Sequence, residues 1–379
     1  MWIYFLYNTV TYLVVSVSRR RAVGVAVFIS YVLFVGLRYE TGTDWQVYKP
    51  NFYALGESYE FSEFWSASVD YGQEPGFLLL NSIFSKIFTE FEYFQCFISI
   101  VFVASFYYMS KTFGAKNVPM ALAVSSSYLW MNLEFSVLRQ SLSIAFFNFG
   151  VSFFIRRRPI IGTIFFAAGF LVHFSSAIYI ATFAISNLPI KKIYLFFSYV
   201  VITILGIVIT LSDAVNALLP DMAKSKVDFY YGRSAFARFI DVDNFFILMI
   251  FIFGLLLVMR DQRGNHHQSE PTRILGNFIV GLAVVGISAT VAPILRDRIS
   301  YEFVIILAVY VTLPDFYWHK RSRLLLFLWG FLFSLYRVTF AIMLPYEPYQ
   351  NYLVYSLLEI ESSAEDRMRR FLSYQFFNR

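Results

Sequence analysis

The feature that most constrains this chain is a succession of apolar segments of roughly helix length, separated by short charged stretches. Residues 2–17 and 135–155 are examples, and a basic triplet follows each of them, at Arg19–Arg21 and Arg156–Arg158. The segments lack the strict alternation of barrel strands, so they predict helices. Because 58% of residues are hydrophobic and only 15% are charged, we expect an integral membrane protein. The predicted fold class is an all-α, polytopic helical bundle of about 11–13 membrane segments.

The basic triplets predict the orientation of the chain, because cytoplasmic loops of membrane proteins are enriched in Lys and Arg. Arg19–Arg21 and Arg156–Arg158 are then inside, and the N-terminus is outside. The net charge of +6 comes largely from such clusters and does not indicate nucleic-acid binding. We expect a single membrane domain over residues 1–379 with three polar regions: outer loops at about 38–74 and 213–243, and a C-terminal tail at about 355–379.

Counting membrane crossings predicts one segment that does not span. Four apolar runs lie between the first outer loop and Arg156–Arg158, whereas an odd number of crossings must link an outer loop to an inner cluster. The shortest run, residues 77–88, is therefore expected to be a partial or interfacial helix. Later in the chain, residues 293–302 are expected to form an outer segment ahead of a helix at 303–313.

Residues 160–188 have basic residues at both flanks, which favours a short hairpin of broken helices. About 14 residues per arm reach roughly 20 Å at 1.5 Å per residue, against a hydrocarbon core of about 30 Å. The apex, residues 172–177, would then lie in the outer half of the membrane. A single long tilted span is the alternative layout.

Several cationic candidates fall at the outer ends of these segments, against the positive-inside bias. Arg38 and Arg139 each lie 17 residues from a basic inner triplet, roughly 25 Å along a continuous helix. Arg296 and Arg298 lie at the outer end of two later segments, and His173 lies in the hairpin apex. Ionisable residues at membrane depth are functional candidates by default. Together they predict an anion site near the outer edge of the membrane.

Each of these candidates also has a structural alternative. Arg38 could extend to the headgroups, Arg139 could pair with Glu134, and Asp297 could pair with a neighbouring arginine. Because Arg139 lies near the start of a helix with Gln140 beside it, phosphate binding is favoured over an Arg139–Glu134 ion pair. A lone histidine in an apolar helix is often a hydrogen-bonded packing residue.

Paired arginines suit a diphosphate, because the guanidinium fork binds two oxygens at once and keeps its charge. A sugar hydroxyl that attacks beside a leaving diphosphate needs a base, for which His173, Asp44 and Glu74 are the candidates. Asp44 could instead be a turn residue. The candidate sugar contacts are aromatic: Trp45, Tyr48, Tyr301 and Tyr349.

Other chemistries lose support from the sequence. The chain has no D-x-D in a strand context, no H-E-x-x-H, no Walker A loop and no G-x-S-x-G. Nucleotide-sugar, nucleotide triphosphate and serine-hydrolase chemistry are therefore disfavoured. The single cysteine, Cys96, excludes an intrachain disulfide and a thiolate metal cluster.

Residues 36–48 read GLRYETGTDWQVY and resemble the R-Y-x-x-G-x-D-x-x-x-Y signature of EpsG-like, Wzy-type polysaccharide polymerases. Further short motifs are similar to those of the family and occur in the same order: Glu74–Phe77, Leu138–Ser143, His173–Ala177, Arg298–Tyr301 and Pro345–Tyr349. Ser143 stands where the family usually has alanine, and the histidine motif carries an extra serine.

The resemblance implies a glycosyltransferase of the GT-C-like membrane class in the bacterial inner membrane. Such an enzyme moves a glycan from undecaprenyl diphosphate to the non-reducing end of another lipid-linked repeat unit, outside the cytoplasm. It implies no cofactor, no nucleotide sugar and no metal. The implied partners are the donor and acceptor lipids, the bilayer, a chain-length regulator and a flippase.

Three other functions stay open on the sequence. A flippase for lipid-linked glycans should line a path with cations through the whole membrane, whereas here they gather at one face. An O-antigen ligase usually has a longer outer loop than residues 213–243. A scaffold of an export complex would need no chemistry at all.

Overall fold

The computed structural model describes residues 2–42, 44–58, 72–129, 133, 135–187, 197, 201, 242–264, 269–289, 293–314, 319–339 and 349–377. Fifteen helices occur in these ranges, and the only β-type pairing described there is an isolated antiparallel bridge between Arg38 and Asn351. Four helices are long and apolar enough to cross a membrane. The predicted class, an all-α polytopic membrane protein, is confirmed.

The described helices have the following bounds: α1 Trp2–Val17, α2 Arg21–Gly36, α3 Trp45–Ser58, α4 Pro75–Ser85, α5 Phe91–Thr112, α6 Val118–Leu129, α7 Leu138–Ile155, α8 Pro159–Val172, α9 Ser176–Ser186, α10 Val242–Gly264, α11 Glu270–Ser288, α12 Pro293–Tyr310, α13 His319–Thr339, α14 Tyr352–Leu357 and α15 Ala364–Phe377. The four candidate membrane spans are α5, α7, α10 and α11.

The long helices run back and forth between two ends of the bundle. Near the start of α2, Gly24 lies against Pro119 of α6, whereas near its end Gly36 lies against Cys96 of α5. Arg156, at the end of α7, donates a hydrogen bond to Thr112 at the end of α5. Two ends follow from this packing. We call the one with Arg19–Arg21 and Arg156–Arg158 the basic end, and the other the Arg38 end.

The α4 helix does not cross the bundle. It has 11 residues, about 16 Å at 1.5 Å per residue, which is half of a hydrocarbon core. Phe77 and Phe84, at opposite ends of α4, both contact Phe94 in the first turn of α5, at 6.0 and 5.2 Å between ring centroids. The candidate membrane spans between α4 and Arg156–Arg158 are α5 and α7, with the 12-residue α6 between them. The helix expected at 77–88 is thus short, as α4, and its partial or interfacial place in the membrane stays a prediction.

A hairpin is formed by α8 and α9, and the alternative of one long tilted span is wrong. The chain reverses at His173–Ser175, and Phe183 of α9 returns to Phe166 of α8 with ring centroids 5.9 Å apart. Two glycines let α8 pack closely on α7. A Cβ at Gly150 would lie 2.4 Å from the Phe166 ring, and one at Gly162 would lie 2.3 Å from Phe154. This packing carries the hairpin apex to the Arg38 end.

Three expected loops contain helices. The outer loop at 38–74 contains α3, and the tail at 355–379 contains α15. The outer segment expected at 293–302 is wrong, because α12 begins at Pro293 and includes both arginines. Two arginines and an aspartate lower the hydropathy of this turn without breaking the helix. Of the loop expected at 213–243, only Val242 and Asp243 lie within the described residues, and the single-domain organisation stays a prediction.

Replacing Gly42 with alanine is expected to destabilise the Arg38 end. Gly42 has a φ of +106°, and a Cβ there would lie 2.3 Å from the carbonyl oxygen of Phe135. Backbone strain alone costs on the order of 1–3 kcal/mol, and the clash adds to it. Gly114→Ala is the matched control, because Gly114 has a φ of +87° with nothing within 4 Å. We expect a larger drop in Tm of the purified protein for Gly42→Ala; equal drops would contradict the close packing at Phe135.

Candidate active site

The cluster of polar residues at the Arg38 end begins at the start of α3. Tyr48 is buried, and its hydroxyl donates a hydrogen bond to Asp44 Oδ2 at 3.3 Å. Burial raises the pKa of Tyr48 to about 12, so the hydroxyl keeps its proton. Arg139, in the first turn of α7, donates from Nε to the same hydroxyl at 3.2 Å and lies 5.6 Å from the Tyr48 ring centroid. The α3 and α7 helices thus meet through one tyrosine.

Glu74 connects Arg139 to the hairpin apex. Its side chain is 1% exposed, its Oε2 accepts from Arg139 Nη1 at 2.6 Å, and its Oε1 lies 2.9 Å from His173 Nδ1. Pro75 and Gly76 follow it at the start of α4, and a Cβ at Gly76 would lie 2.8 Å from the backbone of Leu171. Gly76 therefore permits the close approach of α4 to α8 that brings the carboxylate to the histidine.

The two neighbours of His173 determine its tautomer. Nδ1 faces the Glu74 carboxylate, and Nε2 lies 3.1 Å from Nη1 of Arg298 on α12. A guanidinium donates hydrogen bonds and accepts none, so Nε2 accepts from Arg298 and Nδ1 carries the proton to Glu74. His173 is thus a neutral imidazole, 7% exposed, whose basic lone pair is occupied by Arg298.

Arg298 is fixed by Gln140 and Tyr179. Its Nη1 donates to Gln140 Oε1, and the Gln140 amide donates to the Tyr179 hydroxyl at 2.7 Å and to the Arg298 carbonyl at 3.2 Å. The Tyr179 hydroxyl donates to the same carbonyl at 2.5 Å. Side chains from α7, α9 and α12 therefore hold the arginine against the histidine.

The formal charges of the cluster balance. Two carboxylates, Asp44 and Glu74, face two guanidiniums, Arg139 and Arg298, around the neutral His173. Each arginine has a protein partner, either a carboxylate or an amide, whose place an anion could take. Among the described ranges, no group of three His, Cys, Asp or Glu residues is arranged to hold a metal ion.

The structure brings seven of the expected site residues into this cluster: Asp44, Tyr48, Glu74, Arg139, Gln140, His173 and Arg298. Trp45 is adjacent in sequence, and its Nε1 is buried with no hydrogen-bond partner among the described residues. Glu134, the alternative partner of Arg139, lies outside the described residues.

Four other candidates lie elsewhere. Arg38 is 1% exposed, donates to the Val35 carbonyl and lies 5.4 Å from the Phe135 ring centroid. Arg296 pairs with Asp297 at 2.5 Å, the helix-end salt bridge that was the alternative for it. The contacts described for these arginines do not include the cluster, and their expected diphosphate role stays a prediction.

Tyr301 and Tyr349 are placed as packing residues. Tyr301 is 7% exposed, with its ring centroid 6.3 Å from that of Tyr128. Tyr349 stacks on Phe34 at 4.5 Å and donates its hydroxyl proton to the Phe34 carbonyl at 2.7 Å. No sugar-facing arrangement is described for either ring, and the expected sugar-binding role stays a prediction.

Sequence reasoning missed Tyr179 and an ion-pair group that fixes α3. Lys49 pairs with Glu40 at 2.9 Å and with Glu92 of α5 at 3.1 Å. Burial lowers the pKa of Lys49, but the charges of Glu92 and Glu40 outweigh it and raise the pKa above its usual value. Lys49 therefore stays charged and ties the helix that carries Tyr48 to α5. Tyr179 and Lys49 do not lie in a recognisable sequence motif, so they are identified only by their contacts in the folded structure.

The C-terminal segment, residues 349–367, packs on residues 37–40 at the start of the motif at 36–48. The backbone N–H of Tyr39 donates to Gln350, and that of Tyr352 donates to Leu37. Arg367 of α15 donates to the Glu40 carbonyl at 3.0 Å. The C-terminal segment thus packs on residues 37–40, which precede α3.

Comparison with known proteins identifies the family of this chain. The family model of the EpsG family matches residues 21–357, a range that contains every member of the cluster. No curated protein and no solved structure matches the chain. The match covers most of the chain and includes the motifs that resembled the family. This chain belongs to the EpsG family, the family of Wzy-like polysaccharide polymerases.

Proposed function

We propose that this protein polymerises oligosaccharide repeat units carried on undecaprenyl diphosphate. It transfers the growing glycan from its lipid diphosphate to the non-reducing-end hydroxyl of another lipid-linked unit. The reaction takes place at the Arg38 end, on the outer face of the bacterial plasma membrane. The observation that carries the proposal is the placement of His173 between Glu74 and Arg298, with Arg139 on the same carboxylate.

His173 is the base in this reaction. Its Nε2 removes the proton from the acceptor hydroxyl as the hydroxyl oxygen bonds to the anomeric carbon of the donor sugar. Glu74 accepts a hydrogen bond from Nδ1–H, which fixes the imidazole and stabilises the imidazolium that forms, as the acidic member does in other His–carboxylate pairs.

Arg298 has to leave Nε2 before His173 can act. A guanidinium exchanges an amide or imidazole partner for phosphate oxygens readily, because the charged, bidentate contact is stronger. Binding of the donor diphosphate would therefore draw Arg298 from Nε2 and expose the base. Proton abstraction without a bound donor is then suppressed, since the lone pair is occupied.

The leaving group is undecaprenyl diphosphate. The bond between the anomeric carbon and the diphosphate oxygen breaks, and the electron pair stays with the diphosphate. Arg298 and Arg139 neutralise the charge that develops there, the role that fixed donors serve in other transferases. The proton on His173 is returned to solvent after the products separate.

Polar groups near the cluster suit sugar hydroxyls. Gln73, immediately before Glu74, is 1% exposed, and neither atom of its side-chain amide has a hydrogen-bond partner among the described residues. Trp45 Nε1 is likewise without one there. Buried polar atoms without a hydrogen-bond partner destabilise the folded state unless a ligand or water supplies that partner. The hydroxyl groups of a repeat unit could supply it.

The proposal is tested in cells whose own copy is deleted and complemented with Arg139→Ala. Removing the residue that links Tyr48 and Glu74 should abolish the polymer ladder on a gel and leave single repeat units on the lipid acceptor. The control is Arg157→Ala, an exposed arginine at the basic end, with expression checked for both. A normal ladder from Arg139→Ala would contradict its diphosphate role. Loss of single units on deletion would favour a flippase or a ligase.

A further inference from the structure

A cavity of about 590 Å³ opens at the basic end of the bundle. It lies on the order of 25 Å from the cluster, one length of the 16-residue helix α2. Its walls come from the α1–α2 turn, the end of α5, the α5–α6 turn, the end of α12 and the start of α13. The cavity is therefore separate from the proposed active site and is assembled from distant parts of the chain.

The lining of this cavity is strongly basic. Its 19 described lining residues include no Asp or Glu. Six of them are cationic: Arg19, Arg20, Arg21, Lys111, Lys116 and Arg323. Arg19 follows α1, which packs on α13 through Tyr12 and Phe327, and it is close enough to Arg323 of α13 for the two charges to repel each other. Like charges held together raise the energy of the unliganded state, and a bound anion offsets that cost.

The positive-inside bias explains why cationic residues are found at this end of the bundle, but it does not explain why six of them line the same cavity. The triplet Arg156–Arg158 lies at the same end and has the same composition, yet it does not line the cavity. Arg19–Arg21 faces lysines from α5 and the α5–α6 turn across one concave space. Both triplets consist of three arginines at the same end of the bundle, but only Arg19–Arg21 lines the cavity. Substitutions in Arg156–Arg158 can therefore serve as controls for substitutions in Arg19–Arg21.

The remaining lining indicates a ligand with both polar and apolar parts. Ser18, Asn117 and Thr312 supply hydrogen-bonding groups, whereas Val25 and Phe28 supply apolar surface beside them. Val25 is 50% exposed on the outside of the bundle, where acyl chains would lie. A phospholipid fits this arrangement, with its phosphate headgroup at the polar residues and its acyl chains on the apolar surface. Basic pockets between membrane helices bind anionic lipid headgroups elsewhere.

We propose that this cavity binds the phosphate headgroup of an anionic phospholipid, such as phosphatidylglycerol, from the leaflet at the basic end. The phosphate lies among Arg19–Arg21, Lys111 and Lys116, and the glycerol faces the hydroxyl and amide groups. The lipid joins α1, α2, α5 and α6, so its binding stabilises the bundle without contacting the His173 cluster.

The test is thermal unfolding of the full-length protein in neutral detergent with added phosphatidylglycerol, phosphatidylcholine or inorganic phosphate. A ligand that binds only the folded state raises Tm with concentration. We expect phosphatidylglycerol to raise Tm by several degrees and the other two by less than 1 degree. Arg20→Gln/Arg21→Gln should increase the half-maximal phosphatidylglycerol concentration at least tenfold, whereas Arg157→Gln/Arg158→Gln should change it less than twofold.

A second pair of substitutions, Lys111→Gln/Lys116→Gln, removes two charges from another wall and should weaken binding to a similar extent. It replaces the first pair if Arg20→Gln/Arg21→Gln does not fold. Equal weakening by the control pair would overturn the proposal, since it would show binding to surface charge in general. An equal shift with phosphatidylcholine or with inorganic phosphate would overturn the assignment to an anionic lipid.

Discussion

His173→Ala is expected to abolish polymerisation and leave single repeat units on the lipid acceptor. General-base catalysis contributes on the order of 10²–10⁴ in rate, which is enough to remove every long band from a ladder. The substitution also removes the partner of Glu74 and Arg298, whose contacts with the ring are 2.9 and 3.1 Å long. The measurement is the length distribution of surface polymer from complemented deletion cells.

His173→Gln separates the base from the scaffold. A glutamine amide donates to Glu74 and accepts from Arg298, but it cannot take a proton at neutral pH. We expect this variant to keep the Tm of the parent protein and to lose the ladder as alanine does. A ladder of parental length from either variant, at equal expression, would exclude His173 as the base.

Arg298→Ala is expected to reduce kcat on the order of 10²–10³, the typical cost of removing one donor that stabilises transition-state charge. It also raises KM for the lipid-linked donor, because the diphosphate loses a ligand. The Arg298→Lys variant should recover little, since an ammonium cannot make the bidentate contact. The measurement is the steady-state rate with purified protein and a lipid-linked repeat unit.

Arg296→Ala is the matched control on the same helix. Arg296 pairs with Asp297 and is 2% exposed, and its described contacts do not reach the cluster. We expect less than a tenfold change in kcat. If Arg296→Ala and Arg298→Ala reduce kcat equally, the effect is one of α12 stability, and the role given to Arg298 fails.

Charge placement along the chain was sufficient to predict two features of the backbone, the short helix α4 and the α8–α9 hairpin. With Arg19–Arg21 and Arg156–Arg158 at the same end, parity required that one of the four segments after the first loop should not span, and residues 77–88 were expected to be that segment because they form the shortest run. The length of chain between basic flanks likewise required a reversal near His173. The first argument counts membrane crossings and the second compares helix length with membrane thickness, so neither depends on how the side chains pack.

Depth along a helix did not predict which way a side chain faces. Arg38 and Arg139 have the same calculated height, yet Arg139 joins the cluster whereas Arg38 packs on Phe135. Rotation about the helix axis decides between these outcomes, and it depends on neighbours far away in sequence. The contact of Gln140 with Arg298, 158 residues apart, is of the same kind. Local sequence contains no signal for it.

The most direct test of the central claim is a reconstituted reaction. Purified protein in liposomes receives only a lipid-linked repeat unit, with a chelator present and no nucleotide sugar. The account predicts chains of increasing length and one undecaprenyl diphosphate released for each unit joined, with neither product from His173→Ala. Chain growth that required a nucleotide sugar, or release at the parental rate from His173→Ala, would contradict it.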